Sequence, residues 1–179
     1  MGLDIFVGYS PDWTEYDRLT EEFNKRKYGK EKDEEEAERL EKSLWKFEDE
    51  NVTEDMPDEW REKLGISKDS PAWEIGYVAR SSQAYSFDYV DLDVEGEERF
   101  PSLCEIISCG YNDYVRNDWE HSLSLARRCL AATRAFFEKN EERYGDVSLA
   151  HGVLEHLVPL AELIIASGEP QNYRVRYDR

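Results

Sequence analysis

Two residues of the chain could support nucleophilic or acid–base chemistry, Cys109 and His151. Cys109 stands in Ser108-Cys109-Gly110, at the predicted end of a short helix. A nucleophilic thiolate is normally activated by a helix N-terminus or a cationic neighbour, and the sequence indicates neither here. His151 and Glu155 are four residues apart on one predicted helix face, where they could form a base with its orienting carboxylate or two metal ligands. A histidine packed beside the core, or one paired with Glu155, explains the same spacing, and we favour that interpretation.

An acidic segment, Asp91, Asp93 and Glu95 followed by Gly96, has the spacing that opens an EF-hand calcium loop. The twelfth position of such a loop must supply a bidentate carboxylate, and here that residue is Ser102. The segment also follows a predicted strand, whereas an EF-hand loop follows a helix. We therefore interpret it as the solvent face of a strand that runs into an acidic loop, and we expect no metal and no other cofactor.

Charge and composition exclude several classes of protein. The 179 residues include 23 Lys and Arg against 41 Asp and Glu, a formal net charge of −18. Such a chain repels the phosphates of nucleic acids and of anionic membranes, so we expect neither as a direct partner. The most apolar later run, Val147 to Ala166, is interrupted by charged residues and by Pro159, which argues against a transmembrane helix. Three cysteines make no disulfide scaffold, so we expect free thiols in a cytoplasmic protein.

Apolar residues spaced three or four apart predict two helices near the N-terminus, one from Trp13 to about Lys27 and one from about Lys30 to Glu50. Together they predict an acidic αα-hairpin over residues 12–50, inserted into a single domain of residues 1–179. The seam between the helices consists of Trp13, Tyr16, Leu19 and Phe23 in the first and Ala37, Leu40, Leu44 and Phe47 in the second. A seam this narrow can also pair with a second copy, so self-association is left open.

Much of the negative charge is concentrated in and just after the second predicted helix. Residues 31–62 carry 15 acidic and 5 basic side chains. Rows of carboxylates steer a protein toward basic surfaces. The side chains that could dock on such a surface are Glu34, Glu35, Glu38 and Glu41, with Trp45 as an aromatic anchor if it faces outward. The alternative interpretation is a solvated helix face supported by local ion pairs.

The remaining patterns predict an α+β fold with a small, mostly antiparallel sheet, two long core helices and the acidic hairpin insertion. Alternating apolar residues predict strands at residues 3–9, 73–80 and 84–94, a loop at 81–83, and a final edge strand through Tyr173, Val175 and Tyr177 that could pair with the first. Helices are predicted at residues 57–64, from Pro101 to a stop at Gly110, and in two long segments that begin at Asp118 and Gly145.

The opening Met1-Gly2-Leu3-Asp4-Ile5 resembles the start of a loose group of short, uncharacterised proteins of bacteria and phages. Two further stretches are similar, Ala84-Tyr85-Ser86 and the segment from Phe100-Pro101 through Cys109 to Asn112-Asp113, which precedes a long helix rich in Leu and Ala. The resemblance covers about half of the chain, implies a small accessory protein of phage or mobile-element origin, and transfers no catalytic residue. If the shared stretches line one pocket, its residues are Asp4, Tyr85, Ser86, Tyr89 and Cys109.

Three functions follow as hypotheses. The first, which we favour, is a non-enzymatic protein that binds, or binds and inhibits, a basic macromolecular partner through the acidic helices. The second is a small-ligand or nucleotide-binding protein with a pocket at the sheet, beside Tyr77 and the turn at Cys109. The third is an enzyme that uses Cys109 or His151.

Overall fold

The structure, a computed structural model, describes residues 2–30, 32–69, 74–79, 87, 90–140 and 145–178. It contains two compact units. The hairpin unit is the continuous segment Tyr9–Thr53, and the sheet unit combines Met1–Gly8 with Glu54–Arg179. The sheet unit therefore takes its residues from both sides of the hairpin unit along the chain.

The hairpin unit consists of helices α1 (Thr14–Lys27) and α2 (Glu34–Asn51), which pack on each other along the predicted apolar seam. α2 begins four residues later than the pattern predicts, because the carboxylate of Asp33 accepts the backbone N–H of Glu36 at 3.1 Å and caps the helix there. At the base of the unit, the backbones of Tyr9 and Thr53 exchange two hydrogen bonds of 2.8 and 2.9 Å. These bonds hold the first and last residues of the unit side by side.

The sheet unit contains a small mixed sheet, which confirms the predicted α+β fold class. Its strands are β1 (Gly2–Tyr9), β2 (Glu74–Ala79), β3 (Gly110–Tyr111), β4 (Val115–Arg116) and β5 (Tyr173–Asp178). They lie in the order β2-β1-β5-β3, with β4 also paired to β5. The β1–β2 and β4–β5 pairs are antiparallel, whereas β3 and β5 are parallel.

The last strand pairs with the first, as predicted, but the prediction that it forms an edge was wrong. β5 has neighbours on both sides, β1 on one and the short β3 and β4 on the other. Arg174 and Val175 are accordingly buried. The alternation of arginines with apolar residues indicated a solvent-facing strand, but pairing over a distance of about sixty residues places β5 inside the sheet.

Two long helices, α5 (Trp119–Lys139) and α6 (Gly145–Ala166), pack together and supply much of the core. They follow the shorter α3 (Asp58–Leu64) and α4 (Leu103–Ile107), and a 3₁₀ turn at Pro170–Asn172 leads into β5. The indole N–H of Trp119 donates to the carbonyl of Tyr173 at 3.0 Å and ties α5 to that strand. Among the described residues, α6 is the one helix long and apolar enough to cross a membrane by length and composition, and its buried face packs inside the sheet unit.

Two predicted elements differ from the structure, one in its type and the other in where it ends. Of the strand predicted at residues 84–94, the described part is not a strand: Phe87 is in a turn with a φ of 50°, and residues 90–94 are irregular. The other residues of that strand and the loop predicted at 81–83 lie outside the described residues. α4 ends at Ile107 instead of at Gly110, because the next residue, Ser108, adopts the left-handed conformation and caps the helix. Gly110 lies in β3, where a Cβ atom would come within 2.4 Å of Val115, so the close approach of backbone and side chain requires glycine.

Candidate functional site

Five side chains on α2 lie along one helix face, because they are spaced three or four residues apart. They are Glu34, Glu38, Glu41, Trp45 and Asp49, and we call them the acidic stripe. Trp45 is 56% exposed and lies between Glu41 and Asp49 in the row, and the buried side of the helix is formed by other positions. Glu35, which the sequence also indicated, is exposed but lies one position off the stripe.

The carboxylates of the acidic stripe are poorly neutralised. Within the described residues, Glu34, Glu38 and Asp49 have no ion-pair partner, and Glu41 is 3.6 Å from the ammonium of Lys27. The stripe therefore presents a run of negative charge around one exposed aromatic ring.

The neighbouring helix α1 has the opposite arrangement. Arg18 lies 2.6 Å from Glu15 and 2.8 Å from Glu22, and Lys25 lies 2.5 Å from Glu21. The hydrogen bond from Arg18 lowers the pKa of the Glu15 carboxyl, and the one from Lys25 lowers the pKa of Glu21. Glu15, Glu21 and Glu22 of α1 are thus each paired with a cation of the same helix, whereas Glu41 alone of the stripe carboxylates has a cation partner, and that cation lies on α1.

An aromatic cluster fixes the helix that carries the stripe. The rings of Trp13, Tyr16 and Phe47 lie with their centroids 5.4 to 6.2 Å apart. The hydroxyl of Tyr16 donates to Glu48 at 3.0 Å, across the seam between α1 and α2. A surface held on a packed helix in this way is ordered before a partner arrives, which lowers the entropy cost of binding.

His151 has the surroundings of a structural histidine. Its Nδ1 is 2.8 Å from the hydroxyl oxygen of Thr133, its Nε2 is 3.2 Å from Glu155, and its ring packs against Phe137. A hydroxyl, an imidazole and a carboxylate in this order have the connectivity of a hydrolase triad. However, Thr133 is 0% exposed, and its hydroxyl also donates to the carbonyl of Leu130. The hydroxyl cannot reach a substrate, so the contacts agree with the interpretation favoured from the sequence.

The cysteines are not all free. Cys104 and Cys109 form a disulfide, with their Cα atoms 5.2 Å apart, so Cys109 is not an available nucleophile in this structure. The left-handed turn at Ser108 brings the two together, and nothing in the sequence spacing predicted that turn. Cys129 is free but buried, and burial raises the pKa of its thiol to about 12. The disulfide also weakens the cysteine argument for a cytoplasmic location, which stays a prediction.

The other residues indicated by the sequence do not form a site among the described residues. Asp91, Asp93 and Glu95 are exposed in an irregular loop, and no group of three potential metal ligands occurs in the described part of the chain. The positions of the predicted pocket other than Cys109 lie outside the described residues, or their side chains do: these are Asp4, Tyr77, Tyr85, Ser86 and Tyr89.

Sequence reasoning missed one polar cluster in the sheet unit. The guanidinium of Arg176 lies over the rings of Phe6 and Tyr114, at 5.1 and 5.2 Å, and donates to Glu54 at 3.0 Å. The hydroxyl of Tyr114 donates to the same carboxylate. Burial raises the pKa of the Tyr114 hydroxyl, and the hydrogen bond to Glu54 raises it further, so the phenol stays neutral. Because the groups satisfy one another, the cluster holds structure together and does not present reactive atoms.

Comparison with known proteins assigns no relative: no family model, no curated protein and no solved structure matches the chain. The phage relation implied by the opening residues therefore stays a prediction.

Proposed function

We propose that the chain is a binding protein whose acidic stripe docks on a basic protein surface rich in arginine. The observation that carries this proposal is the exposed Trp45, set among carboxylates of which three, Glu34, Glu38 and Asp49, have no ion-pair partner in the described part of the chain. Trp, Tyr and Arg are the residues enriched among the hot spots at the centres of protein interfaces.

Arginine suits the chemistry of the stripe better than lysine does. A guanidinium can stack on the indole of Trp45 while it donates two hydrogen bonds to a carboxylate such as Glu41 or Asp49, one helical turn away on either side. Neighbouring stripe positions are about 5–6 Å apart on the helix surface, so successive arginines of an extended or helical partner can each meet a carboxylate. Such a partner would be a protein that otherwise binds a polyanion, and occupation of its basic groove would inhibit it.

Binding of an arginine-rich peptide tests the proposal directly. A labelled peptide of about twelve residues, titrated and followed by fluorescence anisotropy, should bind the wild-type chain with strong salt dependence. The triple variant Glu34→Lys, Glu38→Lys, Glu41→Lys should lose at least about tenfold in affinity, because it reverses the charge around Trp45. Trp45→Ala should also weaken binding, by about fivefold, through loss of the ring.

A matched control separates the stripe from overall acidity. The variant Glu15→Lys, Glu21→Lys, Glu22→Lys changes the net charge by the same six units, from −18 to −12, on the helix whose carboxylates are already paired. We expect this control to lose about twofold or less. Equal losses in the two triple variants would mean that general electrostatic attraction, and not the stripe, binds the peptide.

A further inference from the structure

The helices α5 and α6 are joined by two ion pairs that lie at two levels of one exposed face. Arg127 is 2.6 Å from Glu162, and Arg134 is 3.8 Å from Glu155. Residue numbers rise on α5 as they fall on α6, so the helices are antiparallel. The two levels are seven residues apart, or about 10 Å. All the arginines of these pairs are on α5, and all the glutamates are on α6.

Between the two levels the surface is apolar. Val158 and Pro159 line a shallow groove there, which measures about 730 Å³ and also runs past the four residues of the ion pairs and past Glu138 at its end on α5. We call Val158, Pro159 and the four ion-paired residues the two-helix face. Val158 and Pro159 are partly exposed, and Ala131 and Ala135 of α5, which line the same groove, are exposed. Apolar side chains exposed together and rimmed by charged residues are typical of an interface.

We propose that the two-helix face binds a second copy of this chain, with a twofold axis parallel to the helices. That axis places α5 of each copy over α6 of the other and keeps each level of charge at the same height. Arg127 of one copy then faces Glu162 of the other, and Arg134 faces Glu155, twice each by symmetry. The apolar residues between the levels meet at the centre of the resulting four-helix arrangement.

The charge pattern selects this arrangement over the other twofold pairing of the same face. A twofold axis that lies in the plane of the interface and perpendicular to the helices would place α5 of one copy over α5 of the other, with the two levels of charge exchanged. Arg127 would then face Arg134 and Glu155 would face Glu162, so every contact would join like charges. Opposite charges in one arrangement and like charges in the other specify orientation, as in designed helical pairs.

The expected dimer is of modest affinity. Two helices of this length cover about 30 by 20 Å, or about 1,200 Å² of total buried surface, at the lower limit of specific interfaces. The net charge of −18 on each copy adds long-range repulsion, which physiological salt largely screens. We therefore expect dimers at high micromolar concentration in about 0.15 M salt.

Charge exchange at one level tests the geometry. Sedimentation equilibrium should show the wild-type dimer, and Arg127→Glu or Glu162→Arg alone should raise its dissociation constant by about tenfold or more. An equimolar mixture of these two variants should dimerise again, because the introduced glutamate of one copy would face the introduced arginine of the other. The double variant Arg127→Glu, Glu162→Arg should dimerise by itself. Both native side chains are about half exposed, so we expect the fold to survive, with circular dichroism as the check.

The two single variants also move the net charge in opposite directions, so a simple repulsion model predicts weaker association for one and stronger association for the other. Loss of dimer in both, with recovery in the mixture, supports the proposed contact. A wild-type chain that is monomeric at about 500 μM overturns it. Dimers unaffected by either change also overturn it, as does a monomer that floats with zwitterionic lipid vesicles, which would assign the face to a membrane.

Discussion

The hairpin unit and the sheet unit use charged residues in different ways. In the hairpin unit the ion pairs of α1 join residues three or four apart in one helix, on the surface. In the sheet unit Glu54, Tyr114 and Arg176 join across 60 and 122 residues of chain and are largely shielded from water. Exposed local pairs contribute a few tenths of a kcal/mol, whereas breaking a shielded pair leaves a charge without its partner. Similar residue types are therefore dispensable to stability in one unit and structural in the other.

The largest effect should come from the apolar seam of the hairpin unit, which its surface charges cannot replace. Leu44→Ala removes a buried side chain between α1 and α2 and should lower the free energy of unfolding by about 3 kcal/mol. Trp45→Ala, at the next residue but on the exposed stripe, should change it by less than about 0.5 kcal/mol. Urea unfolding followed by circular dichroism measures both, and comparable losses would contradict the assignment of Trp45 to the surface.

The next prediction compares the loss of stability when a shielded arginine and an exposed arginine are each replaced by alanine. Arg176→Ala should destabilise the chain by about 2–3 kcal/mol, because its side chain is 19% exposed and its loss leaves Glu54 without its cation. Arg18→Ala, at 51% exposure between two glutamates of α1, should cost less than about 0.5 kcal/mol. Unfolding midpoints in urea measure the loss of stability in each of the two variants. Equal costs would mean that the shielded cluster contributes no more than a surface pair.

The smallest effect concerns pH and the start of α4. The side chain of Glu105 pairs with Arg99 and accepts the backbone N–H of Ser102 at 2.7 Å in a capping box. These contacts hold the pKa of the Glu105 carboxyl below its usual value, so between the two pKa values the unfolded chain binds more protons. The contribution to stability is present above the unfolded pKa and is lost as the pH falls through the folded one. Since the pair is about half exposed, we expect less than about 1 kcal/mol.

Glu105→Gln isolates that contribution, because glutamine keeps a capping side chain but cannot ionise. Unfolding in urea at neutral pH and at about pH 3 should show a smaller difference for the variant than for the wild type. An unchanged difference would assign the acid sensitivity to other carboxylates.

The sequence predicted the elements that depend on local spacing. The seam of α1 and α2 and the start of α5 at Asp118 follow from helical periodicity and from capping chemistry, and the structure confirms them. Three of the four glutamates chosen from the sequence share the acidic stripe with Trp45. Helix spacing fixes which residues lie together on a face, so this part of the candidate site could be derived before the structure.

What the sequence did not predict depends on long-range pairing or on single backbone conformations. The interior position of β5 results from its pairing with β3 and β4, and the disulfide of Cys104 and Cys109 results from one left-handed residue, Ser108. The cluster of Glu54, Tyr114 and Arg176 has no repeating interval in the sequence. Periodicity carries no information on contacts of this kind, because they are set by how distant segments fold against one another.

The paired ends of the hairpin unit have a consequence for how such a chain can change. Tyr9 and Thr53 are hydrogen-bonded neighbours. If the hairpin unit were removed, a turn of a few residues could therefore join Gly8 to Glu54. The hairpin unit can thus be exchanged, shortened or given another stripe while Gly8 and Glu54, the two residues that join it to the sheet unit, are kept. Under the proposed function, recombination at these two adjacent positions would change the partner that is bound without redesign of the sheet unit.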